Sequence, residues 1–124
     1  MVLSPVDIAQ KFDLINEFWS PHVVGELNGQ QVKLAKLKGE FVWHDHKEED
    51  ELFYVIKGEL IMELKDPDER SVTIRPGEFI VVPRKVMHRP IAQEEVHVML
   101  FEPASTINTG DLDHDLTKKD LPRI

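Results

Sequence analysis

The chain contains no cysteine. Disulfides and thiolate metal ligands are thereby excluded, so any transition-metal site has to be built from histidine and carboxylate. Positive charge is in deficit, with 15 Lys and Arg against 23 Asp and Glu and a formal net charge of -8. Nothing in that balance draws the chain to a phosphate backbone, and nucleic acid is not an expected partner. No stretch approaches the roughly 20 apolar residues of a membrane span. The opening MVLSPVDIAQKFDLINEF carries acids where a secretory leader would be apolar. These absences lead us to expect a soluble, cytoplasmic protein with no membrane partner.

The length, 124 residues, suits one domain over residues 1–124 with a core large enough to fold around. Ser4 followed by Pro5 and VDIAQKF offers an N-cap, a proline at the first helical position and an acid in the first turn, which predicts one short helix ending before Trp19. From residue 22 the pattern changes to short β-rich runs. They are HVVGEL, QVKLAKL, FVWHDH, ELFYVI, ELIMEL, SVTIRP, EFIVVP and EVHVMLFE, with an Asn-Gly hairpin signal at LNGQ, residues 27 to 30. Eight short strands without intervening helices point to an all-β fold, an antiparallel sandwich or small barrel. LFYVI and FIVVP are apolar at successive positions, so both faces of those strands should be covered, by helix, second sheet or partner subunit. Residues 103–124 are polar and turn-rich, as a tail laid over the surface would be.

The chemistry concentrates in WHDHKEEDE, residues 43 to 51. Residues two apart on a strand point to the same face, so His44 and His46 can converge on one cation while Asp45 turns away. After the KEED connection, Glu51 begins the next β run, where an antiparallel partner could set its carboxylate beside the imidazoles. His88, beyond a strand that ends in a proline turn, could complete the set from across the barrel. The plainer alternative is an exposed acidic loop that happens to carry two histidines. Asp45, Glu48, Glu49 and Asp50 fall outside the ligand spacing and are expected to face water.

These residues resemble the cupin superfamily. Its first motif, in which a glycine precedes His-x-His, then a glutamate, then a second glycine, is met by Gly39, His44, His46, Glu51 and Gly58. Its second, glycine then proline then histidine, is met by Gly77, Pro83 and His88. Lys85 stands where the second motif has a further glycine, and Ala92 where it has asparagine. The resemblance spans about residues 30 to 101. It implies a double-stranded β-helix, or jelly-roll barrel, in which His44, His46, Glu51 and His88 bind a divalent ion such as iron, manganese, nickel or zinc.

If Glu51 faces inward, alternation sends Phe53 and Val55 the same way, and Leu60, Met62 and Leu64 on the following strand. Phe53, Val55 and Met62 are then candidates to line the cavity and set substrate shape. His97, alternating with Met99 and Phe101, is a candidate base in the same cavity; the plainer reading is a packed or surface histidine. His22 and His114 are most simply surface residues, and Arg75 and Arg89 solvent-facing ones. Trp43 and Tyr54 should face away from the ligands, where a homodimer interface would cover them. The functional expectation is a metal-dependent enzyme acting on a small polar or carboxylated molecule, as a dioxygenase or an isomerase. The alternative is a cupin that binds or senses a metal or small molecule without turnover.

Overall fold

The computed structural model describes residues 3–124. The helix forms later than the sequence suggests. Asp7, not Ser4, is the N-cap of α1 (Ile8–Phe12), because its carboxylate accepts the Gln10 N–H at 3.1 Å and satisfies a donor the helix leaves free. Phe12 and Ile15 then pack on Leu34 and Met99 outside the barrel.

Seven strands are formed among the described residues, β1 (His22–Leu27), β2 (Gln30–Glu40), β3 (Glu51–Lys57), β4 (Leu60–Lys65), β5 (Glu69–Ile74), β6 (Phe79–Val82) and β7 (Met87–Pro103). All pairings are antiparallel, in the order β1-β2-β7-β3-β6 with β4 joining β5 to β7, an all-β jelly-roll barrel. The turn between β1 and β2 puts Asn28 and Gly29 at φ 49° and 78°, the pair of left-handed positions that a two-residue hairpin uses. The eighth expected strand is absent. FVWHDH forms no regular ladder: His44 and His88 exchange backbone hydrogen bonds of 3.0 and 2.9 Å, and Phe41 N–H donates to the Pro90 carbonyl at 3.0 Å.

β7 organises the molecule. Its first residues pair with β4 through Ile61↔Ile91 and Leu64↔His88, and its later ones run between β2 and β3 through Leu34↔Met99 and Tyr54↔Met99. Val55, Leu60, Met62, Val96 and Val98 are fully buried inside the barrel. β6 is an edge strand, and its outer face is not covered: Phe79 and Val81 are 60% and 49% exposed. Trp43 is covered by side chains of its own chain, the Lys65 ammonium at 4.3 Å and the Arg89 guanidinium at 5.5 Å from its ring. Arg89 is half-buried and paired with Glu63 and Glu40 rather than solvent-facing, and His22 is buried, its Nδ1 donating to the Ser20 carbonyl at 2.7 Å. No helix is long and apolar enough to cross a membrane among the described residues.

Beyond β7 the chain runs back over the barrel, and Ile124 N–H donates to the Val23 carbonyl beside β1 at 3.1 Å. Thr109 in this segment is fully buried, and Gly110, at φ 62°, lies so close to Asp45 that an added Cβ would meet the Asp45 carbonyl oxygen at 1.9 Å. This contact is why Asp45 is half-buried instead of fully exposed. Gly110→Ala is expected to lower stability by about 1–3 kcal/mol, the range for a strained, overcrowded backbone position. Urea unfolding measures the loss, and faster proteolysis of the 104–124 segment would place it there.

Candidate metal centre

His44, His46, Glu51 and His88 come together. One donor atom from each lies within 4.8 Å of the others, and all four residues are buried. Bonds of about 2.1 Å to one ion would separate adjacent ligand atoms by about 3 Å and opposite ones by about 4.2 Å, so a first-row divalent ion fits the spacing. Glu51 reaches the group as the first residue of β3, which registers with Val82 of β6, while His44 and His88 face each other across their isolated backbone pair.

The backbone fixes two of the rings. His44 Nδ1 and His88 Nδ1 each lie 2.9 Å from a carbonyl two residues earlier, Val42 and Val86. A carbonyl only accepts, so both Nδ1 atoms carry the proton and both Nε2 atoms are left facing the centre, as metal-ligating histidines are commonly oriented. His88 Nε2 stands 3.1 Å from Glu51 Oε1. That contact is favourable only with a proton between the two atoms or a cation shared by them.

His46 supplies the more telling observation. Both its ring nitrogens are buried without an aligned hydrogen bond, although Nε2 is only 2.8 Å from Glu51 Oε1. A short separation without N–H alignment is what two ligand atoms turned toward a common centre produce. The chemistry of the donor set therefore agrees with its spacing, and the four residues could hold a divalent ion.

The charges respond to burial. His44 is lowered to about 4, first by desolvation and then by His88, which keeps it neutral and ligand-competent at ordinary pH. Burial also works to lower His46, but the adjacent Glu51 carboxylate outweighs it and the net direction is up. Burial alone would raise Glu51; the histidines around it hold it well below the usual carboxylate range.

The turn before His88 keeps the shape the motif requires despite its substitution. Lys85 occupies φ 69°, the left-handed region normally left to glycine, and its N–H donates to the His46 carbonyl at 2.7 Å. Lys85→Gly is therefore expected to raise stability, by about 0.5–1 kcal/mol after the greater freedom of glycine in the unfolded chain is subtracted. The midpoint of urea unfolding reads this directly.

Above the centre lies a mainly apolar cavity that takes in His44, Glu51 and Phe53. Of the three expected lining residues, Phe53 reaches it and two do not: Val55 and Met62 alternate inward as expected but are sealed in the core, each at 0% exposure. Ala35, Leu37, Phe41, Val98 and Leu100 form the wall instead. His97 is also displaced from its expected place. It lies outside the barrel, stacked on Phe12 at 4.5 Å between ring centres and bonded to Glu95 at 2.6 Å, because β7 is one continuous strand and His97 falls on the face opposite His88. It is no base for this cavity.

Two charged residues of the cavity go unnoticed in the sequence. Lys33 of β2 and Glu102 of β7 are almost fully buried, with Nζ 2.8 Å from Oε1. Burial raises Glu102 well above the ordinary carboxylate range, the charge of the neighbouring Glu51 adds to it, and Lys33 only partly opposes it. Alternation offered a signal for both. Lys33 shares the parity of the inward residues Ala35 and Leu37, and Glu102 that of Val98 and Leu100.

Residues 30–102 match the family model of the cupin domain. The chain belongs to the cupin family. A cupin-2 domain containing protein from Shewanella frigidimarina is 43% identical, with a TM-score of 0.75 over 79% of this chain and 93% of its own. The uncharacterized protein YdbB of Bacillus subtilis is 33% identical over 79 residues, 61% of this cupin and 68% of YdbB. Acireductone dioxygenase 4 of Arabidopsis thaliana is 33% identical over 92 residues, 68% of this cupin, which spans 49% of that enzyme.

Proposed function

We propose that this cupin is a metal-dependent enzyme of the dioxygenase type, acting on a small molecule at a divalent ion held by His44, His46, Glu51 and His88. The observation that carries the reading is the His46 ring, buried among three other donors with neither nitrogen in a protein hydrogen bond. Held by these four residues, a divalent ion would supply Lewis acidity and redox chemistry toward dioxygen. The chain's own contribution is orientation and exclusion of water. Val42 and Val86 carbonyls hold the two imidazoles, and Phe41, Phe53 and Leu100 keep the space above them apolar. An isomerase would need a base near the substrate carbon, and the location of His97 outside the barrel removes the candidate for that role. The likeness to acireductone dioxygenase 4 supports the same choice.

The test is metal analysis of protein purified without a histidine tag, followed by oxygen uptake with iron- and nickel-loaded protein against small enediols and hydroxylated aromatics. About one ion per chain and oxygen consumed in step with product are expected. Less than about 0.2 ion per chain, with no uptake of added Mn, Fe, Ni or Zn, would remove the metal reading. Thermal stabilisation by a ligand without product or oxygen uptake would leave a binding cupin in place of an enzyme.

A further inference from the structure

We propose that Glu102, Thr106 and Lys33 form a second polar subsite in the cavity, which receives a hydroxyl group of the ligand. Among the described residues, four buried side-chain polar atoms have no hydrogen-bond partner. Two are the His46 nitrogens of the metal centre, and the other two are Glu102 Oε2 and Thr106 Oγ1. Both of the latter residues line the same cavity as His44 and Glu51. A buried polar atom left unpaired costs about 1–3 kcal/mol, so two in the lining of one cavity favour a polar partner there.

The kind of group follows from the partners. Glu102 Oε2 accepts when the carboxyl is ionised and can donate when it is protonated; its other oxygen is already taken by Lys33 Nζ at 2.8 Å. The Thr106 hydroxyl can donate or accept, and the Lys33 ammonium carries three donors, one of them directed at Glu102. A ligand hydroxyl, which both donates and accepts, can pair with Glu102 Oε2 in either form and with Thr106 or Lys33. A carboxylate would bring no donor and would stand beside the ionised Glu51, with Lys33 the one lysine or arginine among the lining residues. The remaining wall, with Trp19, Leu37, Phe41 and Val98, offers only apolar contact. The substrate class that fits is a compact, largely apolar skeleton with a metal-binding oxygen at one end and a separate hydroxyl at the other. This rests on the reading of the cavity as a ligand site, and it deepens that reading.

Phenol and toluene, which exchange a hydroxyl for a methyl of similar size, test it. Dissociation constants are measured by NMR titration on wild type, Thr106→Val and Glu102→Gln, each in metal-free and zinc-loaded form. Glu102→Gln keeps an oxygen for Lys33 and should fold. The preference for phenol over toluene is expected to fall about tenfold in each variant, the value of one hydrogen bond of about 1.4 kcal/mol. It should fall equally in the metal-free protein, which separates this subsite from the metal centre, whose occupancy is measured independently by elemental analysis. A preference within twofold of wild type in both variants would overturn the proposal, meaning that water or a proton shared between Glu102 and Glu51 satisfies these atoms. Failure of phenol to bind the wild type at millimolar concentration would overturn it too.

Discussion

His46→Ala is expected to lose bound metal, from about one ion per chain to below about 0.2 after gel filtration, a fall in affinity beyond the 10–100-fold typical of residues that merely support a ligand. The fold should survive. The imidazole has no hydrogen bond to the rest of the protein, so its removal strands no donor or acceptor except those of the centre. Asp45→Ala, one residue away, should retain metal at nearly the wild-type level, because the Asp45 side chain belongs to the opposite face and the contact with Gly110 is through its backbone carbonyl. Elemental analysis of the two variants, with circular dichroism to check the fold, measures both. Equal losses would contradict the alternation that brings His44 and His46 to one side.

Lys33→Met should lower stability by about 1–3 kcal/mol, the cost of stranding a buried acceptor, against a total of about 5–15 kcal/mol for a domain of ordinary stability. Glu102, at 2% exposure beside the second carboxylate of Glu51, would lose the charge that opposes its upward shift and take up a proton, its Oε1 left buried without the Lys33 donor. The pair itself is worth little. Taking both charges from water offsets most of their attraction, so Lys33→Met combined with Glu102→Leu should recover most of what the single substitution loses. Urea unfolding of wild type, both single variants and the double closes the cycle, and a double variant no better than Lys33→Met would show the loss to be one of packing.

The parts of the structure that were legible in the sequence are those set by parity within one run. Glu51, Phe53 and Val55 do share a buried face, as do Leu60, Met62 and Leu64, and the Asn28-Gly29 turn forms where its φ preferences put it. What was not legible depends on how far a strand continues. His88 and His97 are nine positions apart, so on one continuous strand they must face opposite sides; read as two strands, the sequence leaves His97 free to point inward. Depth is the other gap. Alternation says that Val55 and Met62 point inward with Phe53, but only the three-dimensional packing says that Phe53 meets the cavity and the other two are sealed beneath it. Lys33 and Glu102 were hidden by their charge, since lysine and glutamate are almost never fully buried unless paired, and their partnership joins residues 69 positions apart.

β7 has a bearing on how the molecule assembles. It is the common partner of β2, β3 and β4, and its residues lie 51 (Glu40↔Ile91) to 73 (Gln30↔Pro103) positions from their partners in β2. The hairpins β1–β2 and β4–β5 close short loops and can form early, whereas every contact made by β7 requires a long loop to be closed first. Such pairing places refolding in the millisecond-to-second range of β-barrels, with a nucleus that cannot be local. Because His88 and Glu102 sit near opposite ends of that strand, the arrival of β7 completes the metal centre and the cavity in a single event. A chain stalled before it would hold His44, His46 and Glu51 near one another, exposed, and without the barrel around them.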